Sequence, residues 1–338
     1  MIDTAFIRTL FFQPILNGLE KRYQLSPQHW DIPAKLLQEP MSLTPFLDMT
    51  AWLESAIKMT GDPNYLAKIA DLVRFEQMGM LGEWFLSSPD LALAFRRINY
   101  GSSCLQSGAT FHGEQSAKVI KWTYGNHYLM GQQRLLVLDS LRVAIMFTNV
   151  IRNYMGTDYH PIHVEISGKP ERVVDYQDFF GCNITWNAPM TRVWIDIAIL
   201  ETGNECVFNV TKPMLLSNLQ LDDLLNMPQP QDFAKVMYEM VNYNRYYDRP
   251  SIHFVAEKLQ LSTQQLSRRL HNYGLNFTSI TSYVLCNVAI KYMLEGMDIK
   301  KIASLLGYQN VQSFSKAFQR YRGVTPTQYQ QRLLERAR

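Results

Sequence analysis

The sequence predicts an α+β N-terminal domain followed by an all-α C-terminal domain containing two helix-turn-helix units. Three observations carry this. Alternating apolar segments, the mark of half-buried strands, occur only before about Leu200. From Asp232 onward every apolar run has helical spacing. Within that helical part a pattern repeats: Ile252, Val255, Ala256 and Leu259 return 47 residues later as Ile299, Ile302, Ala303 and Leu306.

The 338 residues suit about two domains, and an apolar content of 47% supports real cores. The charge is unevenly placed. Residues 1–230 hold 18 Lys+Arg against 23 Asp+Glu, a net −5, and residues 231–338 hold 15 against 7, a net +8. A basic third on an acidic remainder points to a polyanion-binding module. Cys104, Cys182, Cys206 and Cys286 are scattered, without a Cys-x-x-Cys pair. That argues against a zinc ribbon or a disulfide scaffold and suits a reducing cytoplasm. Asp3 and Arg8 interrupt the N-terminal apolar stretch, so no signal peptide is expected. No uncharged apolar run reaches the ~18 residues of a membrane span.

Residues 1–200 read as the α+β domain. Met49–Gly61 has a helical apolar face and a glycine stop. Ser88–Gly101 reads as a helix capped by Ser88 with Pro89 at its first position. Residues 109–126 alternate as two short strands around a polar turn, and residues 129–155 form a long helix ended at Gly156. "HPIHVEISG" and "RVWIDIAIL" read as strands, the second with Val193, Ile195, Ile197 and Ile199 on one face. Residues 201–230 are rich in turn residues and read as a linker with a short helix, "LLSNLQLDDLL".

The repeat organises residues 231–338. Leu266 and Leu270 return 48 residues later as Phe314 and Phe318, so one residue has been added in the turn. Each copy, about 251–274 and 298–323, is a helix, a turn and a second helix. Ala256 and Ala303 are small where the two helices cross. Ser262 and Asn310 stand where a side chain caps the second helix, and Gly274 and Gly323 lie just past its end. Thr325 and Pro326 start a last helix. The second helices sort into faces. Leu266, Leu270 and Tyr273 face inward in copy one, and Phe314, Phe318 and Tyr321 in copy two. Opposite them lie Gln264, Ser267, Arg268 and His271, then Gln312, Ser315, Lys316 and Gln319. These faces carry no acid. Gln bonds adenine bidentately, and Arg or Lys reaches guanine O6 and N7 in a major groove that admits a helix.

"IASLLGYQNVQSFSKAFQRYRGVTPTQY" (Ile302–Tyr329) resembles, nearly position for position, the signature of the AraC/XylS family of bacterial transcription regulators. "VAEKLQLSTQQLSRRL" also fits. The resemblance implies two helix-turn-helix units joined by a scaffold helix, here about Ser279–Leu294, whose recognition helices enter successive major-groove segments of double-stranded DNA. By motif position Gln264, Ser267 and Arg268 face bases in the first unit, and Val311, Gln312 and Lys316 in the second. Arg269, Arg320 and Arg322 are assigned to phosphate. One departure stands out: family members often carry an arginine in the scaffold helix where this chain has Leu285. Residues 1–200 are similar to the arabinose-binding-like N-terminal domain of a family subgroup, on "GMLGEWFLSSPDLALAFRRINYG" and residues 160–200. This implies a domain for a small-molecule effector, for homodimerisation, or both, with RNA polymerase as a further partner.

No Gly-x-Ser-x-Gly, His-Glu-x-x-His or phosphate-loop motif occurs, so neither an enzyme nor a cofactor is expected. His160 and His163 would point to opposite faces of a strand, which is poor for one metal. His112 and His127 flank the 109–126 hairpin. Trp52, Trp84, Trp122, Trp186 and Trp194 either build an aromatic pocket or simply fill the core. Two other readings stay open: a constitutive dimeric regulator without an effector, and an enzymatic N-terminal domain fused to a DNA reader.

Overall fold

The computed structural model describes residues 4–129, 131–170, 173–203 and 224–336. Most of the expected 201–230 linker and its short helix lie outside these residues. The chain divides into two compact units, Ala5–Met227 and a second built on Pro228–Arg338.

The first unit mixes helices and sheets. Its helices are α1 (Gln13–Tyr23), α2 (Ala34–Gln38), α3 (Phe46–Thr60), α4 (Tyr65–Ile69), α5 (Gly79–Leu86), α6 (Leu91–Leu105), α7 (Gln133–Met155) and α8 (Val174–Phe180). β1 (Phe6–Arg8) pairs antiparallel with β2 (Leu43–Pro45). A larger sheet has the order β3-β4-β7-β5-β6, from β3 (Ala109–Ser116), β4 (Val119–Asn126), β5 (His163–Ile166), β6 (Ile184–Trp186) and β7 (Thr191–Asp196). Its pairs are antiparallel except β5 with β6, which are parallel and joined across by α8. Sheet and helices meet through stacked rings. Trp122 of β4 stacks on Phe147 of α7 at 3.7 Å, and Phe147 on Phe95 of α6 at 4.8 Å.

Two local expectations are corrected here. Ser88 does not cap α6; it is buried, and its hydroxyl donates to the Phe85 carbonyl. Asp90 is the cap, accepting from Leu93 N at 2.7 Å. Its extended backbone is held by a bridge to Gly203, a tertiary contact that local pattern does not show. The strand expected over residues 192–200 stops at Asp196, whose carboxylate accepts from Ala198 N and turns Ile197–Glu201 into a 3₁₀ helix.

The second unit has no strand among its described residues. It contains α9 (Phe233–Asn244), α10 (Ile252–Lys258), α11 (Thr263–Asn272), α12 (Phe277–Leu294), α13 (Ile299–Leu305), α14 (Val311–Arg322) and α15 (Pro326–Arg336). α12 is apolar nearly all round its axis and is therefore buried on several sides, with Leu285, Ala289, Tyr292 and Met293 in the core. The two copies share their turn. Leu261 N donates to the Ala256 carbonyl and Tyr308 N to the Ala303 carbonyl, at 2.9 and 3.0 Å. The turn needs one left-handed residue. Copy two supplies Gly307 (φ +76°), whereas copy one bends Gln260 to φ +54° at a steric cost.

Candidate nucleic-acid interface and N-terminal cavity

Each helix-turn-helix has a small apolar core and an exposed second helix. Val255, Ala256, Leu266 and Leu270 are buried in the first, and Ile302, Ala303, Phe314 and Phe318 in the second. Ser262 caps α11 with a full capping box: its Oγ accepts from Gln265 N, while the Gln265 side chain accepts from Ser262 N. Asn310 caps α14 by accepting from Ser313 N at 2.8 Å. The caps satisfy one or two of the free N–H groups at each helix start and leave others for a ligand. Asn310→Ala is expected to cost about 1 kcal/mol, read as a lower denaturation midpoint of the far-ultraviolet helix signal. An unchanged midpoint would show the cap to be redundant.

The structure brings most of the sequence-assigned residues onto the exposed faces. Gln264, Ser267 and Arg268 are exposed on α11, and Gln312 and Lys316 on α14. Val311 is half-buried against the second core, so only part of its side chain reaches outward. Arg320 is exposed and Arg269 half-buried. Arg322 is placed differently from the others: its guanidinium donates to Asn287 of α12. Leu285 is itself in the core with Phe314, so an arginine there would enter apolar packing. In this chain Arg322–Asn287 supplies a polar link between scaffold and recognition helix. Tyr273 and Tyr321, expected to face inward, are 63% and 40% exposed. Tyr273 lies on the Phe233 ring and Tyr321 edges Tyr283, so both cover the rim of the unit. The sequence reading passed over Lys300 and Lys301, both exposed at the start of α13; their charge was the available signal.

The N-terminal unit contains a partly open cavity of about 40 Å³ between α6, α7 and the β3–β4 hairpin. Phe85, Phe111, Trp122 and Phe147 are among its apolar walls, and its polar lining is Ser102, Gln106 and Arg142. Behind it lies a charge pair that the sequence reading missed. Arg142 donates from Nη2 and Nε to Asp139 Oδ1 at 2.6 and 3.1 Å, with the two side chains 2% and 0% exposed. Tyr124 donates to Asp139 Oδ2 at 2.5 Å, Gln106 Nε2 donates to the Tyr124 hydroxyl, and Arg142 Nη2 also reaches Gln106 Oε1. Burial first, and the Asp139 charge second, raise the Tyr124 phenol well above its ordinary pKa, so it stays a donor. A signal existed: two opposite charges three apart inside an apolar stretch of the long helix.

The tryptophans do not converge. Of the five weighed, Trp122 alone lines this cavity; Trp52 packs on Phe12, Trp84 on Phe85, Trp186 on Tyr176, and Trp194 under Lys121. His160 lies against the Phe180 carbonyl, and His163 against Thr185 Oγ1, so the two serve separate contacts. His112 pairs with Glu114 and His127 packs on Tyr128. Burial pushes the thiols of Cys182 and Cys286 up to about 11, so neither is a thiolate at neutral pH. No helix among the described residues is long and apolar enough to cross a membrane.

An α+β unit followed by paired helix-turn-helix units on one scaffold helix defines a regulator of the helix-turn-helix class. Residues 28–204, more than half the chain, match the family profile described as the arabinose-binding domain of AraC transcription regulator, N-terminal, and residues 255–332 match a helix-turn-helix domain. The chain belongs to the AraC family of transcription regulators. The ornithine utilization regulator of Pseudomonas aeruginosa is 21% identical over 321 residues, 88% of this chain and 87% of that protein. An uncharacterized HTH-type transcriptional regulator of Mycobacterium tuberculosis is 32% identical over 84 residues, 25% of this chain. The HTH-type transcriptional activator FapR of Escherichia coli is 36% identical over 77 residues, 22% of this chain. This chain spans 24% and 30% of the length of those last two proteins. The solved transcriptional regulator CdpR from Pseudomonas aeruginosa is similar with a TM-score of 0.44 and 18% identity, over 95% of this chain and 98% of that one.

Proposed function

We propose that this chain regulates transcription by binding a specific duplex DNA site through both recognition helices, under control of its N-terminal unit. The observation that carries the reading is the pair of capped, acid-free faces on α11 and α14. Gln264, Ser267 and Arg268 read bases in one major-groove segment, and Gln312 and Lys316 in the next, with Val311 offering an apolar contact to a thymine methyl. Arg269 and Arg320 hold phosphate and supply the salt-dependent part of affinity, with Lys300 and Lys301 as further cations of that kind. Arg322 acts through its link to Asn287, setting the pose of α14. The N-terminal unit binds a small effector, self-associates as a homodimer, or both, and either event alters DNA affinity or contact with RNA polymerase in the cytoplasm.

Genome-wide selection of bound fragments supplies the site, and quantitative binding to it tests the residues. Arg268→Ala and Lys316→Ala are each expected to weaken specific binding by roughly 1–3 kcal/mol and to relax preference at one base position, in different halves of the site. Equal loss on specific and nonspecific DNA would reassign the residue to phosphate.

A further inference from the structure

We propose that the N-terminal cavity is a binding site for a small, mainly apolar, uncharged molecule carrying one hydrogen-bond-accepting oxygen, such as a ketone or lactone. This rests on the reading that the unit senses an effector, and it names the class of effector.

The cavity's polar lining is Ser102, Gln106 and Arg142. Ser102 Oγ already donates to the Asn99 carbonyl at 2.9 Å. Gln106 is used at both ends, donating to Tyr124 and accepting from Arg142. The second amino group of Arg142 has only weak partners: Nη1 donates to the Met146 thioether at 3.8 Å, and the guanidinium lies 5.8 Å over the Phe11 ring, although the side chain is 2% exposed. A buried guanidinium N–H facing sulfur is under-satisfied, and a ligand oxygen would complete it. A pentose brings several hydroxyls, each needing a partner that the aromatic walls lack. A carboxylate fails differently. Asp139 already neutralises Arg142 at 2.6 Å, so a second anion would be buried without a counter-charge. An apolar body with one neutral acceptor fits the lining.

Size adds a condition. The cavity, about 40 Å³, is smaller than the roughly 150 Å³ that accommodates benzene in a protein interior. Phe111, half-buried against the Trp122 and Tyr124 rings, stands between two spaces. It lines this cavity and also an open groove of about 580 Å³ bordered by Arg96, Asn99 and Tyr100. It sits on β3, the edge strand of the sheet among the described residues, where it pairs with β4. Moving its ring joins cavity to groove. Occupancy therefore displaces a residue of the sheet edge, which gives the ligand a means of altering the surface.

The test uses the full chain with acetophenone and 2-heptanone as probes, and benzoate and arabinose as anionic and polyhydroxyl comparators. Binding is read by saturation-transfer NMR and by calorimetric melting. The ketones are expected to raise the melting midpoint of the N-terminal unit by roughly 2–4 °C at tenfold excess over Kd, and the comparators to leave it unmoved. Ser102→Leu, which fills the cavity from α6, should abolish the ketone shift. Phe111→Ala, which opens the cavity to the groove, should tighten ketone binding several-fold and guards against a misfolded Ser102 variant. No ketone binding, ketone binding untouched by both variants, or an equal response to benzoate or arabinose would each overturn the proposal. DNA binding by the same preparations separates the two readings. Retained DNA binding without ketone binding defeats the ligand class alone, whereas absent DNA binding defeats the regulator reading.

Discussion

Asp139→Ala is expected to cost the N-terminal unit about 3–5 kcal/mol, a large share of the 5–15 kcal/mol typical of a domain. The deletion leaves the Arg142 guanidinium charged, buried and without its carboxylate. It also strips the acceptor from Tyr124, which donates to Asp139 at 2.5 Å, and the distant 3.4 Å partner from Asn126. All six tryptophans, from Trp30 to Trp194, lie in this unit. Urea unfolding followed by tryptophan emission therefore isolates its transition. Asp139→Ala combined with Arg142→Met should recover much of the loss, because an absent charge needs no partner; Tyr124 and Gln106 would still lack theirs. If the single variant unfolded within 1 kcal/mol of the parent, water would have to reach Arg142, contrary to its burial. Recovery by the double variant would also show that the intact pair adds little net stability over an apolar replacement.

Phe318→Ala should be of similar size, about 3–5 kcal/mol, and should act on the other unit. Phe318 is fully buried, edges Phe314 at 5.8 Å and Tyr329 at 5.6 Å, and joins α14 to α15 and the scaffold helix. Removing its ring leaves a hole where three helices meet, and α14 loses the contact that holds its outer face in place. Far-ultraviolet circular dichroism should show an earlier loss of helix, while tryptophan emission of the N-terminal unit stays at its parental midpoint. Specific DNA affinity should fall with it, and base preference in the Lys316 half of the site should weaken most. A variant with parental affinity would mean that α14 is positioned by α15 and Arg322–Asn287 without the ring.

The C-terminal unit was readable because its signals are local. Caps, glycine stops and an apolar period of 3.6 depend on residues within one or two turns of each other, and the repeat allowed each copy to check the other. At helix ends these local signals weaken. Tyr273 and Tyr321 were assigned inward by extending the helical phase, but at the last turn a ring can swing to the rim, as Tyr273 does onto Phe233. Arg322 looks like a surface cation in sequence, and one of its amino groups donates to an amide 35 residues upstream, Asn287 of the scaffold.

In the N-terminal unit the elements were legible and their partners were not. The hairpin over residues 109–126 and the long helix ending at Gly156 follow from alternation and periodicity. The start of α6 and the end of β7 are set by local carboxylates, Asp90 on Leu93 N and Asp196 on Ala198 N, and reinforced by distant contacts that no local pattern encodes, Asp90 with Gly203 and Ile197 N with the Lys118 carbonyl. The cavity is less legible still, since its walls come from segments between Phe11 and Phe147.

By itself, then, the sequence determined the two-part organisation, the tandem helix-turn-helix, the caps and the acid-free faces, since each rests on spacing along one helix. Tertiary structure alone decided that the Asp139–Arg142 pair is buried beside Tyr124 and Gln106, that Leu285 is core, and that Arg322 donates to Asn287. Those outcomes depend on which distant groups share one dry space, where an unpaired donor or charge is costly and each polar atom is held to the nearest partner.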